Sequence, residues 1–385
     1  MTTEVTAPAG PLAPAARSLG PDLARGVMLL AIALANSHYF VEGSSYFGGF
    51  PQDGGPLDRA VAWTLATFVD GRAFPMFGLL FGYGVAQVVR RQGGAPPKRV
   101  RRLLWRRATF LVVVGFLHAT LLFAGDILAA YGVLLFLGAW AVRWRDGWLL
   151  AGAALFLVLT SMPGEGSFAA ATYGPDPTTM LPTDLGAMLV DRAFTSAFVA
   201  SLGPIGFGCP FLLGLWAGRR RLLEPPPADR RAARERGLLV TGVVGLAVAV
   251  AGAQPIALVQ LGVLDVPANG DVLGPLHDTA GVAGGVAYAA LLALLALRLQ
   301  DRRSRLVDAV AAVGQRSMTC YLAQSVMWTL AFTPALLGLS DVLSVTGCAV
   351  LATATWLLTV ALADWMHRTG RRGPFEVLLR RATYG

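Results

Sequence analysis

The stretch RRQGGAPPKRVRRLLWRRATFLVVVGFLHATLLFAGDILAAYGVLLFLGAWAVRWRD, residues 90–146, alternates a basic cluster, an apolar run, a tight turn, a second apolar run and a second basic cluster. His118 lies inside the first run and Asp126 in the turn. In hydrocarbon every backbone N–H and C=O must be satisfied within its own segment, so a spanning element is a helix of about 20 apolar residues, with a range of roughly 17 to 25. The stretch therefore reads as a helical hairpin that enters a bilayer and returns, its charged ends held on one side.

The same pattern recurs along the whole chain of 385 residues. Apolar runs centre on 25–39, 73–89, 108–124, 127–142, 148–162, 194–218, 237–261, 279–297, 318–337 and 343–365. The fourth and fifth are the weakest, two short runs with only five residues between them. These runs predict an all-α, polytopic membrane bundle of about ten transmembrane helices. Composition agrees: 55% of residues are hydrophobic and 14% charged, against about 25% charged in a soluble domain. The net charge of +9 does not indicate nucleic acid, because the basic residues fall in short clusters beside apolar runs. They read as membrane-flanking anchors.

Short cytoplasmic loops collect Lys and Arg. With the N-terminus inside, roughly 29 of the 32 basic residues fall on the cytoplasmic side. The exceptions are Arg59 and Arg192 in outer connections and Arg72 beside the second span. Both termini are thus expected in the cytoplasm. The chain divides into a disordered cytoplasmic tail at 1–20, a transmembrane domain at 21–367 and a cytoplasmic C-terminal segment at 368–385. Two large cytoplasmic loops, RRQGGAPPKRVRRLLWRR and RRRLLEPPPADRRAARER, read either as topology signals or as attraction for an acidic, nucleotide-bearing ligand. The outer connections at 41–58 and 163–191 are longer, acidic and rich in Gly, Pro and Thr, a length that suits a site cover. Cys209, Cys320 and Cys348 lie in apolar runs without paired spacing, and reduced, buried thiols are expected.

Function is sought among ionisable residues that lipid would penalise, by about 2.5 kcal/mol or more at the centre of a span. The segment GFLHATLLFAGDILAAYG sets His118 about two turns from the outer end of the third span, and Asp126 at the following turn, within roughly 12 Å along the axis. An imidazole beside a carboxylate has the makings of a general base. Equally, Asp126 suits the N-cap of the fourth helix. On the first two spans, Arg25 opens the first helix and Asn36 and His38 close it, while Asp70 and Arg72 form either an interfacial salt bridge or part of a polar cavity. His277 and Asp278 stand at the outer mouth of the eighth span, as cavity residues or as a cap. Arg316 marks the inner end of the ninth, with Tyr321, Gln324 and Ser325 forming one polar face that suits a cavity lining. No phosphate loop, dinucleotide fingerprint or HExxH pattern is present, and four histidines at 38, 118, 277 and 367 give no metal site.

Five separated motifs carry a resemblance. They are Arg25-Gly26 closing on Asn36; FPMFGLLFGYG with Phe74, Phe77, Leu80, Phe81, Gly82 and Gly84; Gly115, Phe116 and His118 followed by Gly125, Asp126, Ile127 and Leu128; GQRSMTCYLAQS; and Gly373, Pro374, Glu376 and Arg380. In this order they resemble the YeiB-like family of bacterial integral membrane proteins, nearly end to end. One extra residue separates Gly314 from Arg316, and Val377 stands where an aromatic residue is usual.

That family is similar to a wider group of transmembrane acyltransferases that take an acyl group from cytoplasmic acyl-CoA and deliver it to an acceptor at the outer face. The catalytic His of that group follows the first span and corresponds loosely to His38, so His118 and His38 both stand as candidate bases. The resemblance implies an acyl-CoA-dependent O- or N-acyltransferase of the bacterial cytoplasmic membrane. Acetyl-CoA would be the donor, a small hydroxyl or amine compound the acceptor, and no metal or nucleic acid would take part. Arg25 and Arg316 would guide the donor, and self-association into a homo-oligomer is left open. The alternative is a transporter or exporter of a small hydrophobic or acylated molecule. The orientation is checked by fusing to either terminus a reporter that fluoresces only in the cytoplasm: both fusions are expected to fluoresce, and a dark one would reverse it.

Overall fold

The computed structural model describes residues 18–164, 167–300 and 302–385. The expected tail falls mostly on residues 1–17, outside the described residues. Its boundary is corrected at the other end, because Leu19 and Gly20 are already helical and buried, with Leu19 packed beside Leu23, Ala296 and Val310.

Thirteen α-helices are found among the described residues. In chain order they are α1 (Leu19–Ser37), α2 (Pro56–Phe68), α3 (Ala73–Arg91), α4 (Pro97–Leu121), α5 (Leu128–Ala141), α6 (Asp146–Ser161), α7 (Leu185–Arg219), α8 (Arg231–Gln260), α9 (Leu273–Leu299), α10 (Arg305–Gln315), α11 (Ser317–Phe332), α12 (Val345–Arg368) and α13 (Pro374–Tyr384). A two-residue antiparallel ladder, β1 (Tyr46–Phe47) with β2 (Phe50–Pro51), follows α1. Each of the ten apolar runs is a helix. Seven segments are long and apolar enough to cross a membrane, by length and composition, and α5 and α6 are shorter apolar helices. The chain is a multi-pass, all-α membrane protein. At 1.5 Å per residue the 14 residues of α5 cover about 21 Å, less than a hydrocarbon core of about 30 Å.

The basic helix ends gather at one end of the bundle. Arg90 at the end of α3 bonds the carbonyl of Gly218 at the end of α7 and, at 2.5 Å, Glu224. Arg219 reaches back to the carbonyls of Ala141 and Val142, and Arg220 to Asp146, at the α5–α6 turn. Arg231 of α8 holds Leu297 O of α9, and Arg316 holds Arg371 O beyond α12. This end is the basic face.

Three helices lie outside the ten apolar runs: α2, α10 and α13. The second of them, α10, runs antiparallel against α1 at backbone contact. A Cβ at Gly26 would lie 2.0 Å from Val310 O, and one at Gly314 would lie 1.8 Å from Asp22 O. Small residues let helices approach this closely in a membrane, where packing supplies most of the association energy. Cys209, Cys320 and Cys348 are buried and unpaired. Gly26→Leu is expected to cost about 1–3 kcal/mol or more in thermal unfolding of the detergent-purified protein. Gly237→Ala, whose Cβ meets nothing within 4 Å, is expected to change stability by less than about 1 kcal/mol.

Candidate active site

The α4–α5 turn decides where the site sits. Gly115, one turn before His118, has no Cβ, and one placed there would lie 2.2 Å from Ala129 N. The two helices therefore close until His118 Nδ1 stands 2.7 Å from Asp126 Oδ1, with side chains 2% and 0% exposed. The other carboxylate oxygen, Oδ2, accepts from Ala129 N–H at 3.0 Å. Asp126 thus does both things its position allowed: it caps α5 and it orients an imidazole. With the carboxylate as acceptor the imidazole proton sits on Nδ1, and Nε2 keeps its lone pair. Nε2 is buried and has no hydrogen-bond partner in the structure.

Tyr321 of α11 completes the group. Its hydroxyl is 3.5 Å from Asp126 Oδ1 and its ring centroid 5.2 Å from that of His118. One turn further, Gln324 Nε2 donates to Leu29 O at 3.3 Å. From Leu29, α1 continues eight residues to Ser37, about 12 Å. The pair consequently lies well inside the bundle and not at the mouth of an outer turn, which corrects the expected placement. An aromatic layer of Phe40, Phe123, Trp328 and Phe332 lies on that far side, with Phe40 stacked on Phe332 at 4.4 Å. The carbonyl of Leu122 in the turn is taken by Thr329 Oγ1 at 3.0 Å and Arg192 Nη1 at 3.2 Å.

The opening is on the basic side. A cavity of about 780 Å³ is bounded by α1, α3, α4, α11 and α13, with Leu128, Tyr131 and Tyr321 at its inner end. One face of α3 follows it from Phe77 through Phe81, Gly84 and Gln87 to Arg91, a length of about 21 Å. Six arginines line it, namely Arg25, Arg90, Arg91, Arg107, Arg221 and Arg380, against the carboxylates of Asp22, Glu224 and Glu376. Those carboxylates have partners within the protein: Glu224 takes Arg90 and Tyr83, Glu376 caps α11 through Met318 N and Thr319 N, and Asp22 lies 3.5 Å from Arg25. The Arg107 Nε is buried without a hydrogen-bond partner.

Arg25 is on this wall as expected, but Arg316 is not: its guanidinium holds Ala312 O at 3.2 Å and Arg371 O at 2.7 Å, bracing the α10–α11 junction. Arg107, which sequence reasoning did not single out, lines the wall instead. Its signal was in the sequence, as the last basic residue before the apolar run of α4 and hence the deepest one. The wall contributed by α13 was legible only as a Pro-started segment that mixes apolar and charged residues, PFEVLLRRATY.

The remaining expected residues form a second centre toward the far end. Arg72, 0% exposed, donates to Ala249 O at 2.7 Å and to Asp70 O, and its Nη1 lies 2.6 Å from His277 Nε2, which also stands 3.0 Å from Ala66 O. His277 Nδ1 lies 3.7 Å from Asp278 Oδ1, and Ser167 Oγ donates to Asp278 Oδ2 at 2.8 Å. Arg72 thus meets the backbone carbonyl of Asp70. The carboxylate of Asp70 lies instead 3.7 Å from Nε2 of His38, whose ring is stacked on Phe50 at 3.8 Å. Asn36 donates within α1, to Ile32 O. The outer segments cover this centre, tied by Gly48 N to Ala171 O and by Gln260 Nε2 to Phe47 O. In the same cover the backbone N–H and hydroxyl of Ser44, both 2.8 Å from Asp53, hold its carboxyl below the usual range. The aromatic layer, which includes Phe40 just beyond His38, lies between the two centres. His38 and His118 are thus not members of one cavity.

Asp126→Ala removes a cap and strands the His118 Nδ1–H, and is expected to cost about 1–3 kcal/mol in thermal unfolding. Asp126→Asn, which keeps an acceptor for Ala129 N–H, is expected to recover part of that loss, and equal loss in both variants would contradict the capping role.

Residues 217–385 match a family model described as "Protein of unknown function (DUF418)". That region holds α8 to α13, with Tyr321 and the α13 wall, and not the His118 hairpin. The chain is 24% identical over 398 residues to the uncharacterized protein YxaH of Bacillus subtilis (strain 168), covering 94% of this chain and 93% of that one. It is 35% identical over 123 residues to the uncharacterized protein YeiB of Escherichia coli (strain K12), covering 31% of this chain and 29% of that one.

Proposed function

We propose, for a chain that belongs to the YeiB-like family of membrane proteins, that it is an acyltransferase which admits acyl-CoA from its basic face and passes the acyl group to a hydroxyl or amine acceptor. One observation carries this reading: a cavity that follows α3 for about 21 Å, lined by six arginines and by Leu128, Tyr131 and Tyr321, beside a buried carboxylate–imidazole pair. Its charge gradient suits a ligand with phosphates at one end and a thin arm ending in a small acyl group at the other. By the bias of Lys and Arg toward cytoplasmic loops, the basic face is the cytoplasmic one of a bacterial cell membrane.

In this reading the guanidinium groups of Arg25, Arg90, Arg91 and Arg107 hold phosphate oxygens. Arg is suited to this by its planar fork of donors. Asp126 keeps the His118 proton on Nδ1, and Nε2 takes the proton of the acceptor as its oxygen or nitrogen attacks the thioester carbon. General base action of this kind contributes about 10²- to 10⁴-fold. The aromatic layer keeps water away from the far side of the pair and lowers competing hydrolysis.

Purified protein in nanodiscs, given labelled acetyl-CoA and mixed hydroxyl and amine acceptors, is expected to transfer label. His118→Ala is expected to lower the rate at least about 100-fold. Acetyl-CoA, and not acetate, is expected to raise the melting temperature. Full activity in His118→Ala would overturn the base assignment. Flux of a solute across the bilayer without consumption of acetyl-CoA would favour transport.

A further inference from the structure

We infer that Tyr321 is a catalytic residue of this site: its phenolic O–H donates to the carbonyl oxygen of an acyl group resting on the cavity floor. This rests on the acyl-transfer reading. Of the three buried groups in contact, Tyr321 lines the cavity while His118 and Asp126 stand behind it. A thioester entering from the basic face therefore meets the phenol first. The neighbouring phenol on the same floor is committed elsewhere, since Tyr131 donates to Phe74 O at 3.1 Å.

Tyr321 is held but not saturated. The residue is 5% exposed, and its α11 turn is fixed at its start by Glu376, which accepts from Met318 N, Thr319 N and Thr319 Oγ1. The present acceptor of the phenolic O–H, Asp126 Oδ1, lies at 3.5 Å, beyond the ordinary range for O–H···O bonds of about 2.5–3.0 Å. Exchanging that long contact for a carbonyl oxygen costs little. The carbonyl oxygen gains negative charge as the acceptor attacks, and one fixed donor aimed at such an oxygen is worth about 10²- to 10³-fold in kcat.

The step balances without consuming Tyr321. The acceptor O–H or N–H proton goes to His118 Nε2, a C–O or C–N bond forms at the thioester carbon, and the C–S bond breaks. The thiolate then takes the proton from the imidazolium and leaves as the thiol of CoA. Tyr321 keeps its own proton throughout.

The test uses the full chain in nanodiscs with [1-¹³C]acetyl-CoA, read by isotope-edited infrared spectroscopy, so that no acceptor is needed. The bound carbonyl band is expected at lower frequency in the wild type than in Tyr321→Phe, with similar acetyl-CoA affinity in both. Tyr321→3,5-difluorotyrosine, a stronger donor of the same shape, is expected to move the band further down. In transfer assays Tyr321→Phe is expected to lower kcat about 100-fold with KM changed only a few-fold. Binding with the same band in wild type and Tyr321→Phe would overturn the assignment of Tyr321 alone. No binding of acetyl-CoA to the wild type would overturn the acyl-transfer reading and this inference with it.

Discussion

The 2.7 Å contact between His118 Nδ1 and Asp126 Oδ1 holds together a place where the chain stops being helical inside the bundle. Non-helical backbone at membrane depth is tolerated only where protein buries and satisfies it. Backbone groups in and beside the six residues between α4 and α5 are met in this way. Asp126 Oδ2 takes the Ala129 N–H, and the Leu122 carbonyl is served by Thr329 and Arg192. Leu122 and Phe123 donate back to His118 O. An ionisable pair is costly in this setting unless hydrogen-bonded, and here each partner also closes a backbone account: Asp126 as a cap, His118 through its carbonyl.

Because the turn stops short, the bundle is divided. On one side α5 leaves room for a cavity that α3 lines along its length and α13 closes laterally. On the other, Phe40, Phe123, Trp328 and Phe332 fill the space above the turn. The polar residues beyond that layer, centred on Arg72, are paired mainly with backbone carbonyls and with one another. Their arrangement reads as a brace between α2, α3, α8 and α9, through Ala66, Asp70, Ala249 and His277. The cavity on the basic face therefore ends at Tyr321, with the pair behind it.

Much of this was legible in the sequence, for reasons particular residues make plain. Lipid imposes long apolar runs, and the basic clusters alternate without a break, so all ten runs and the gathering of Arg90, Arg219, Arg231 and Arg316 at one end followed from composition alone. The contact of His118 with Asp126 followed from their eight-residue separation across a tight turn. Depth did not, because the turn was placed at the surface by default. The 14 residues of α5, too few to cross about 30 Å, were the available signal. Helices α2, α10 and α13 were missed because short amphipathic segments owe their structure to tertiary packing, as Gly314 against Asp22 shows. Arg107 lines the cavity and Arg316 does not for a similar reason: which guanidinium meets a backbone carbonyl and which faces open space depends on neighbours distant in sequence.

The central claim is that the buried pair is reached from the basic face. Labelling of Leu128→Cys by a membrane-impermeant maleimide tests it most directly, with the three native cysteines replaced and vesicles of both orientations compared. Labelling is expected only when the basic face is presented to the reagent, with protection by acetyl-CoA. Labelling from the opposite face would contradict the claim.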